Sequence, residues 1–471
     1  MRLSIARWAT LFLAALPLAA QPAAPPGPAG AAAASARVDI PYTQFSLPNG
    51  LNVILHEDHT VPLVAVDVWY HVGSARELPG RTGLAHLFEH ILFEGSKHVK
   101  TGEFDTLLEA AGGDNNGSTN NDRTNYFEVL PSNSLELALF LESDRMGYLL
   151  DVMSAGRVDQ QRDVVKNERR QRYENQPYGL LPLKMEELLF PAGHPYHWPV
   201  IGSMEDLTAA THEDIASFFK SYYRPNNATL AVAGDFRTED ARRAIEHWFS
   251  DVPGGKAPPP FTAAPAALAS EQRLTLEDRV QLPRLAMAWV TPAEFHPGDD
   301  ALDILASVLA SGKNSRLYKR LVYDLRIAQD VSASQDSRFL ASVFEIVVTA
   351  REGHSLTEIE RVVQEELDRI KGEPPSAREL ERALHQYEAS FYRALEHARA
   401  KADLLNLYDF GARRPDYANE DLARHLSLAP SDLQSAARRE LPDSARVIVS
   451  VVPIGKASLA AGGPAQKGPP R

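Results

Sequence analysis

Two stretches far apart in the chain end the same way. YYRPNNATLAVAGDF (222–236) and RELPDSARVIVSVVP (439–453) each set a charged, proline-containing turn before an unbroken run of small and β-branched residues. Such a run suits a strand buried on both faces. Between them, Gly254 to Pro260 and an Ala-rich stretch to Ser270 form a Pro/Gly/Ala linker without the apolar pattern needed for a core. At 471 residues the chain is too long for one ordinary core. A closing unit repeated on either side of a linker therefore predicts an α+β fold of two tandem, similar repeats.

The boundaries follow. Residues 1–20 read as a leader, 21–37 as a Pro/Ala-rich linker, 38–253 as the first domain, 254–270 as the linker, 271–455 as the second domain and 456–471 as a disordered tail. In the first half, Gln44 to Leu47 and Leu51 to Leu55 flank Pro48-Asn49-Gly50, a hairpin signature. The apolar run Pro62 to His71 suits a central strand, and helices are expected over 103–111, 135–150, 180–190, 212–222 and up to Phe249. The second half is expected to have strands at 285–290, 343–348 and 446–452, with long helices from Ser355 to about Phe410.

Within GLAHLFEHILFEG (83–95), His86, Glu89 and His90 form the pattern HxxEH. Positions four apart share a helix face, so both imidazoles can address one metal ion while Glu89 stands beside it. Neutral imidazole is a good zinc ligand, and a carboxylate left off the metal can accept a proton from water. A chance match is expected in roughly a few chains per hundred of this composition, so the context has to decide. A catalytic zinc usually takes a third protein ligand. The best candidate is Glu168, in DQQRDVVKNERRQRYENQPYG, where Val164, Val165 and Arg169 suit a helix with one buried face. Glu168 reads equally as a solvated acid among arginines.

The chain resembles the pitrilysin, insulinase and mitochondrial processing peptidase family of inverted-motif zinc metallopeptidases, over nearly all of residues 40–455. The blocks that carry the likeness are FSLPNGLNVILHED, GSARELPGRTGLAHLFEHILFEGSK, GGDNNGSTNNDRTNYFEVLP, RDVVKNERRQRYENQP and YYRPNNATLAVAGDF. The resemblance implies two α/β repeats, each a mainly antiparallel sheet flanked by helices, closing like jaws around substrate. It implies one Zn2+ held by His86, His90 and Glu168, with Glu89 as general base. It also implies that an extended peptide pairs with Asn116, Gly117, Ser118 and Thr119, a run that otherwise reads as a polar turn. Only the first half carries HxxEH; the second is the degenerate copy.

Two departures matter. Relatives often carry an acid seven residues before the zinc glutamate, where this chain has Gln161. Peptide-cleaving relatives also carry an Arg and a Tyr in the second domain that steady the substrate carbonyl. Aligned on SRL in SRLYKRLVYDLRIAQD, those places hold Val322 and Gln329. Arg316 and Tyr323 have the right spacing only after a shift of register. The missing pair implies a homologous partner subunit that supplies it in a heterodimer, with a homodimer as the other arrangement. The rival function is a non-catalytic assembly or binding subunit, against which the intact Glu89 argues.

Composition excludes other classes. A net charge of -13 with basic residues interspersed among acids does not suit nucleic acid. Without cysteine, a metal must be held by nitrogen and oxygen. His56 with His59 and His194 with His197 read as ordinary loop histidines. MRLSIARWATLFLAALPLAA has the layout of a secretory signal peptide and is too short to span a membrane. The expectation is an exported, periplasmic protein with no integral membrane segment in its mature form.

Overall fold

The hairpin around Pro48-Asn49-Gly50 forms as expected. Strands β1 (Thr43–Ser46) and β2 (Asn52–Glu57) pair antiparallel with Phe45 opposite Val53, and Gly50 takes φ 93°, which a side chain would resist. This computed structural model describes residues 37–258, 261, 263–462 and 466–467. The leader 1–20, nearly all of the linker 21–37 and most of the far end of the tail lie outside the described residues.

β3 (Leu63–Tyr70), β4 (Asp114–Thr119), β5 (Thr124–Pro131) and β6 (Ala228–Gly234) complete a six-stranded sheet ordered β1-β2-β6-β3-β5-β4. The second half repeats it. β7 (Gln272–Asp278), β8 (Arg284–Thr291), β9 (Ala328–Asp336), β10 (Ser342–Ala350), β11 (Val447–Pro453) and β12 (Gln466–Lys467) are ordered β12-β7-β11-β8-β10-β9. The repeated closing strands, β6 and β11, hold the same place. Each runs parallel to one neighbour, β2 or β7, and antiparallel to the other, β3 or β8. The remaining long-strand pairs are antiparallel, so the architecture is the expected pair of α+β repeats.

β7 and β9 were not anticipated. β9, AQDVSASQD, alternates between exposed and half-buried positions at a sheet edge and has little apolar content to announce it. The start of the tail also differs from expectation. Ala461 is buried in the second core and its N–H donates to Ser450 Oγ at 3.0 Å, because small side chains fit closely there.

One face of the first sheet packs on helices of its own half, in a core that includes Val66, Val68, Leu87, Phe88, Leu139 and Phe219. Its opposite face is covered from the other half. Helix Ala398–Gly411 lays Ala402 and Leu405 against Ile54, Ala65, Ala231 and Ala233, whose small side chains let it approach closely. Polar contacts fix its position: Asn406 donates to the Asp67 carbonyl at 3.0 Å, and Asp409 accepts from Asn52 at 2.7 Å.

The exchange is reciprocal. Helix Leu180–Leu189, expected among the helices of the first half, packs Leu181, Met185 and Leu189 on the second sheet against Leu274, Ala286, Val449 and Val451. Periodicity identifies a helix but not which sheet it will cover. Residues 39–471 consequently form one compact unit.

Leu405 is 1 % exposed at this junction. Leu405→Ala is expected to cost about 2 to 4 kcal/mol, read as a lower midpoint in urea with one transition retained. Two separated transitions would show that the halves unfold independently.

Candidate metal centre

The HxxEH segment forms helix Leu84–Ile91, and its start is closely built. Gly83 precedes it at φ 87° and faces Gly202 so tightly that a Cβ on Gly202 would lie 2.4 Å from the Gly83 Cα. Buried Glu77 accepts from the Gly83 and Ala85 N–H groups, both at 2.8 Å, which satisfies donors that a helix start leaves open. Leu84, Leu87, Phe88 and Ile91 enter the core, and Tyr126 Oη donates to the Phe88 carbonyl at 2.9 Å. The opposite face carries His86, Glu89 and His90.

Helix Ala155–Arg169 supplies the third residue. Ser154 caps it, and Val158, Gln161 and Val165 are buried along the face that Glu168 continues. Val164, expected to point inward, is 40 % exposed, since the three- and four-residue spacing selects Val165 instead. Directly after Glu168 the helix widens into a π turn, Arg170–Glu174, and Arg172 pairs with Glu168 Oε1 at 2.9 Å. Gln161 donates to Glu94 Oε1 at 2.5 Å, tying this helix to the segment just past the motif.

The three candidate ligands meet. Each of His86, His90 and Glu168 offers a ligand atom within 4.8 Å of the others, and among the described residues no other group of His and acids converges in this way. Glu168 Oε2 lies 3.1 Å from His90 Nε2 and 3.7 Å from His86 Nε2, buried against both imidazoles with no other polar partner. Burial, with help from His90, pushes the His86 imidazole down to about 4, so it is neutral and ligand-ready at pH 7. Burial works to raise Glu168, but His90, His86 and Arg172 outweigh it and hold the carboxyl below its ordinary range. Two imidazole nitrogens and an anionic carboxylate oxygen buried against them fit zinc by donor type and by the cost of burying that charge.

Glu89 stands beside this cluster. Burial raises its pKa, against a Thr119 hydrogen bond and the nearby His90. Above it runs β4, the outermost strand of its sheet, which carries Asn116, Gly117, Ser118 and Thr119. A Cβ on Gly117 would come within 3.3 Å of Glu89 Cγ and 3.2 Å of the Phe93 ring, so the missing side chain leaves room for Glu89. His86, Glu89, Glu168 and residues 116–119 line one cavity of about 650 Å³, whose far wall, including Glu294, Ser337 and Phe339, comes from the second half.

The second-half segment does not reach this cavity. Val322 packs against the second core, and Gln329 is exposed on β9. Arg316 forks onto Glu379 at 2.7 and 3.0 Å, and Tyr323 is 71 % exposed. None of the four lines the cavity. His59 bridges Asp235 and Glu57, while His194 packs on Phe190, as loop histidines do. Sequence reasoning passed over Arg123 and Arg172, which line the cavity. Their only signal was a cation inside a block already singled out, Arg123 in GGDNNGSTNNDRTNYFEVLP and Arg172 in RDVVKNERRQRYENQP.

Comparisons with known proteins show the family and the fold. Residues 52–187 match the family described as Insulinase (Peptidase family M16), and residues 209–387 match Peptidase M16 inactive domain. The chain is 30% identical over 418 residues to a protein of Helicobacter pylori named Zinc protease PqqE, covering 88% of this chain and 93% of that one. The crystal structure of a protease from Helicobacter pylori superposes with a TM-score of 0.83 at 28% identity, covering 88% of this chain and all of that one. The periplasmic protease PqqL from Escherichia coli shares the fold, with a TM-score of 0.75 at 20% identity over 92% of this chain and 50% of that chain.

Two outcomes are expected. Glu168→Gln should weaken zinc binding by more than about 100-fold, beyond the cost of losing a group behind the ligands, as read by a competing chelator. In the metal-free protein, unfolded His86 takes up a proton near pH 6.5 that folded His86 refuses until about pH 4. Stability should therefore fall as pH drops through that window, and His86→Gln should flatten part of the slope in urea titrations.

Proposed function

The chain belongs to peptidase family M16, and on that premise we propose that it is an exported zinc metalloendopeptidase that hydrolyses peptides or small unfolded proteins. The observation that carries the reading is the buried Glu168 oxygen facing two imidazoles, beside Glu89 and below the outer edge of β4.

His86, His90 and Glu168 would hold Zn2+, which would activate water and polarise the scissile carbonyl. Glu89 takes the proton of the attacking water and passes it to the leaving amine. Its partly buried carboxylate, beside the ligands and left room by Gly117, is placed to accept that proton and hand it on. Asn116, Gly117, Ser118 and Thr119 present strand backbone along which an extended substrate pairs by main-chain hydrogen bonds, with little demand on its sequence. The wall from the second half closes the site from the other side and limits what can enter.

Since Val322 and Gln329 stand where relatives have Arg and Tyr, the enzyme works as the catalytic subunit of a heterodimer with a homologous chain that brings that pair. A homodimer is the simpler alternative. The leader-like residues 1–20 support export, with periplasmic residence, and no described helix is long and apolar enough to cross a membrane. The missing pair also favours a second reading, a non-catalytic assembly subunit.

A quenched-peptide assay of the purified chain, alone and with its partner, separates the readings. Peptidase activity should vanish with chelator and return with zinc. Glu89→Gln should retain zinc and lose about 1,000-fold or more in rate, the upper range for a general base. Zinc-free wild type that is inert in both settings would establish the assembly role.

A further inference from the structure

Three arginines line the cavity: Arg123, Arg172 and Arg338. Two are neutralised. Arg172 pairs with Glu168 at 2.9 Å, and Arg338 pairs with Asp336 at 2.6 Å and Glu186 at 3.2 Å. Arg123 differs. Among the described residues no carboxylate comes within ion-pair distance of it, and its Nε is buried with no partner. A guanidinium largely withdrawn from water and balanced only by acids beyond ion-pair distance is a candidate for work on a ligand when it lines a cleft.

The side chain is fixed in place rather than loose. Nη1 donates to the Ser118 carbonyl at 2.9 Å and to Ser118 Oγ at 2.6 Å, and the guanidinium lies over the Trp69 ring at 5.1 Å. Trp69 is itself held by Asp403 at 3.0 Å, and Ser118 Oγ donates to Asn125 at 2.7 Å. Ser118 is the residue after Gly117, which overlies Glu89. Burial lowers the Arg123 pKa, while the charges of Asp403, Asp67, Glu89 and Asp122 act against that shift from beyond ion-pair distance. The cavity-wall arginine without a close ion pair therefore sits against β4, in the same cavity as the proton acceptor.

We propose that Arg123 is a further catalytic residue: its guanidinium donates a hydrogen bond to the scissile carbonyl oxygen of a peptide laid along β4 as that oxygen gains negative charge. This rests on the peptidase reading above. Arg123 forms no covalent bond and gives up no proton. It keeps a fixed positive charge where the transition state needs one, the kind of contribution worth about 100-fold in rate. The second half of this chain, with Val322 and Gln329, has no such group at the cavity.

The test uses the zinc-loaded full chain, in whichever setting (alone or with its partner) turns over the quenched peptide, and two inert peptides of one sequence. One carries a phosphinic group that imitates the anionic tetrahedral state, and the other a neutral reduced amide. Arg123→Met should keep zinc at the wild-type ratio, lower kcat about 100-fold, leave KM nearly unchanged, and weaken the phosphinic peptide by a similar factor while sparing the neutral one. An unchanged kcat, an equal loss for both inert peptides, or loss of zinc would each overturn the proposal. If Arg123→Met fails to fold, Arg123→Gln, which can still donate to Ser118, carries the same readouts. Wild type that holds no zinc and ignores the phosphinic peptide removes the peptidase reading and this role together. Wild type that does both while the variant matches it removes only the role of Arg123.

Discussion

A sheet with two apolar faces has to be covered twice, and in this protein each sheet has one face covered by its own half and the other by a helix from the opposite half. Ala65, Ala231 and Ala233 on the first sheet meet Ala402 and Leu405 from the far end of the chain, while Ala286, Ala288 and Val449 on the second meet Leu181 and Met185. The two halves are thereby locked side by side. The exchange also brings elements of the second half around to the outer strand of the first sheet, where Asp403 and Leu407 of helix Ala398–Gly411 join the wall of the cavity. The cleft is thus a by-product of covering the sheets.

Inside the cleft, the local chemistry is set by what has been left without a partner. Elsewhere some buried charge is held in close pairs: Arg145 by Glu128 and Glu142, and Arg273 by Glu271 and Glu360. Around the HxxEH helix the contacts are looser. Glu168 Oε2 is buried against two imidazoles, Arg123 Nε is buried without a hydrogen bond, and Glu89 is raised by burial. Burying such groups costs free energy in the resting protein, and the return is a site ready to receive a cation, a carbonyl oxygen and a proton.

Much of this could be read from the residues. The hairpin at Pro48-Asn49-Gly50, the buried run of β3 and the repeated closing strands follow from local pattern, because turn geometry and strand burial are decided within a few residues. The HxxEH trio could be placed on one helix face for the same reason. Glu168 could not: its spacing fits a surface acid as well as a ligand, and only the fold brings it to the histidines. Val164 was assigned inward because two adjacent valines offer no way to choose between them. β9 escaped because an edge strand of Ser, Gln and Asp resembles a loop, and Arg123 because nothing in a sequence says which of many arginines will lack a close ion pair. The destination of helix Leu180–Leu189 is a matter of tertiary packing, which no periodicity encodes.

The crossed helices also impose an order on biogenesis. As the chain emerges from its amino end, the last strand of the first sheet, β6, is complete at Gly234, yet the alanine-lined face of that sheet stays bare until residues 398–411 have been made. Contacts so distant in sequence form late and leave apolar surface open to aggregation meanwhile. Until residues 398–411 arrive, that face has nothing of this chain to cover it, and a truncated product ending in the linker would retain the HxxEH helix with the face exposed.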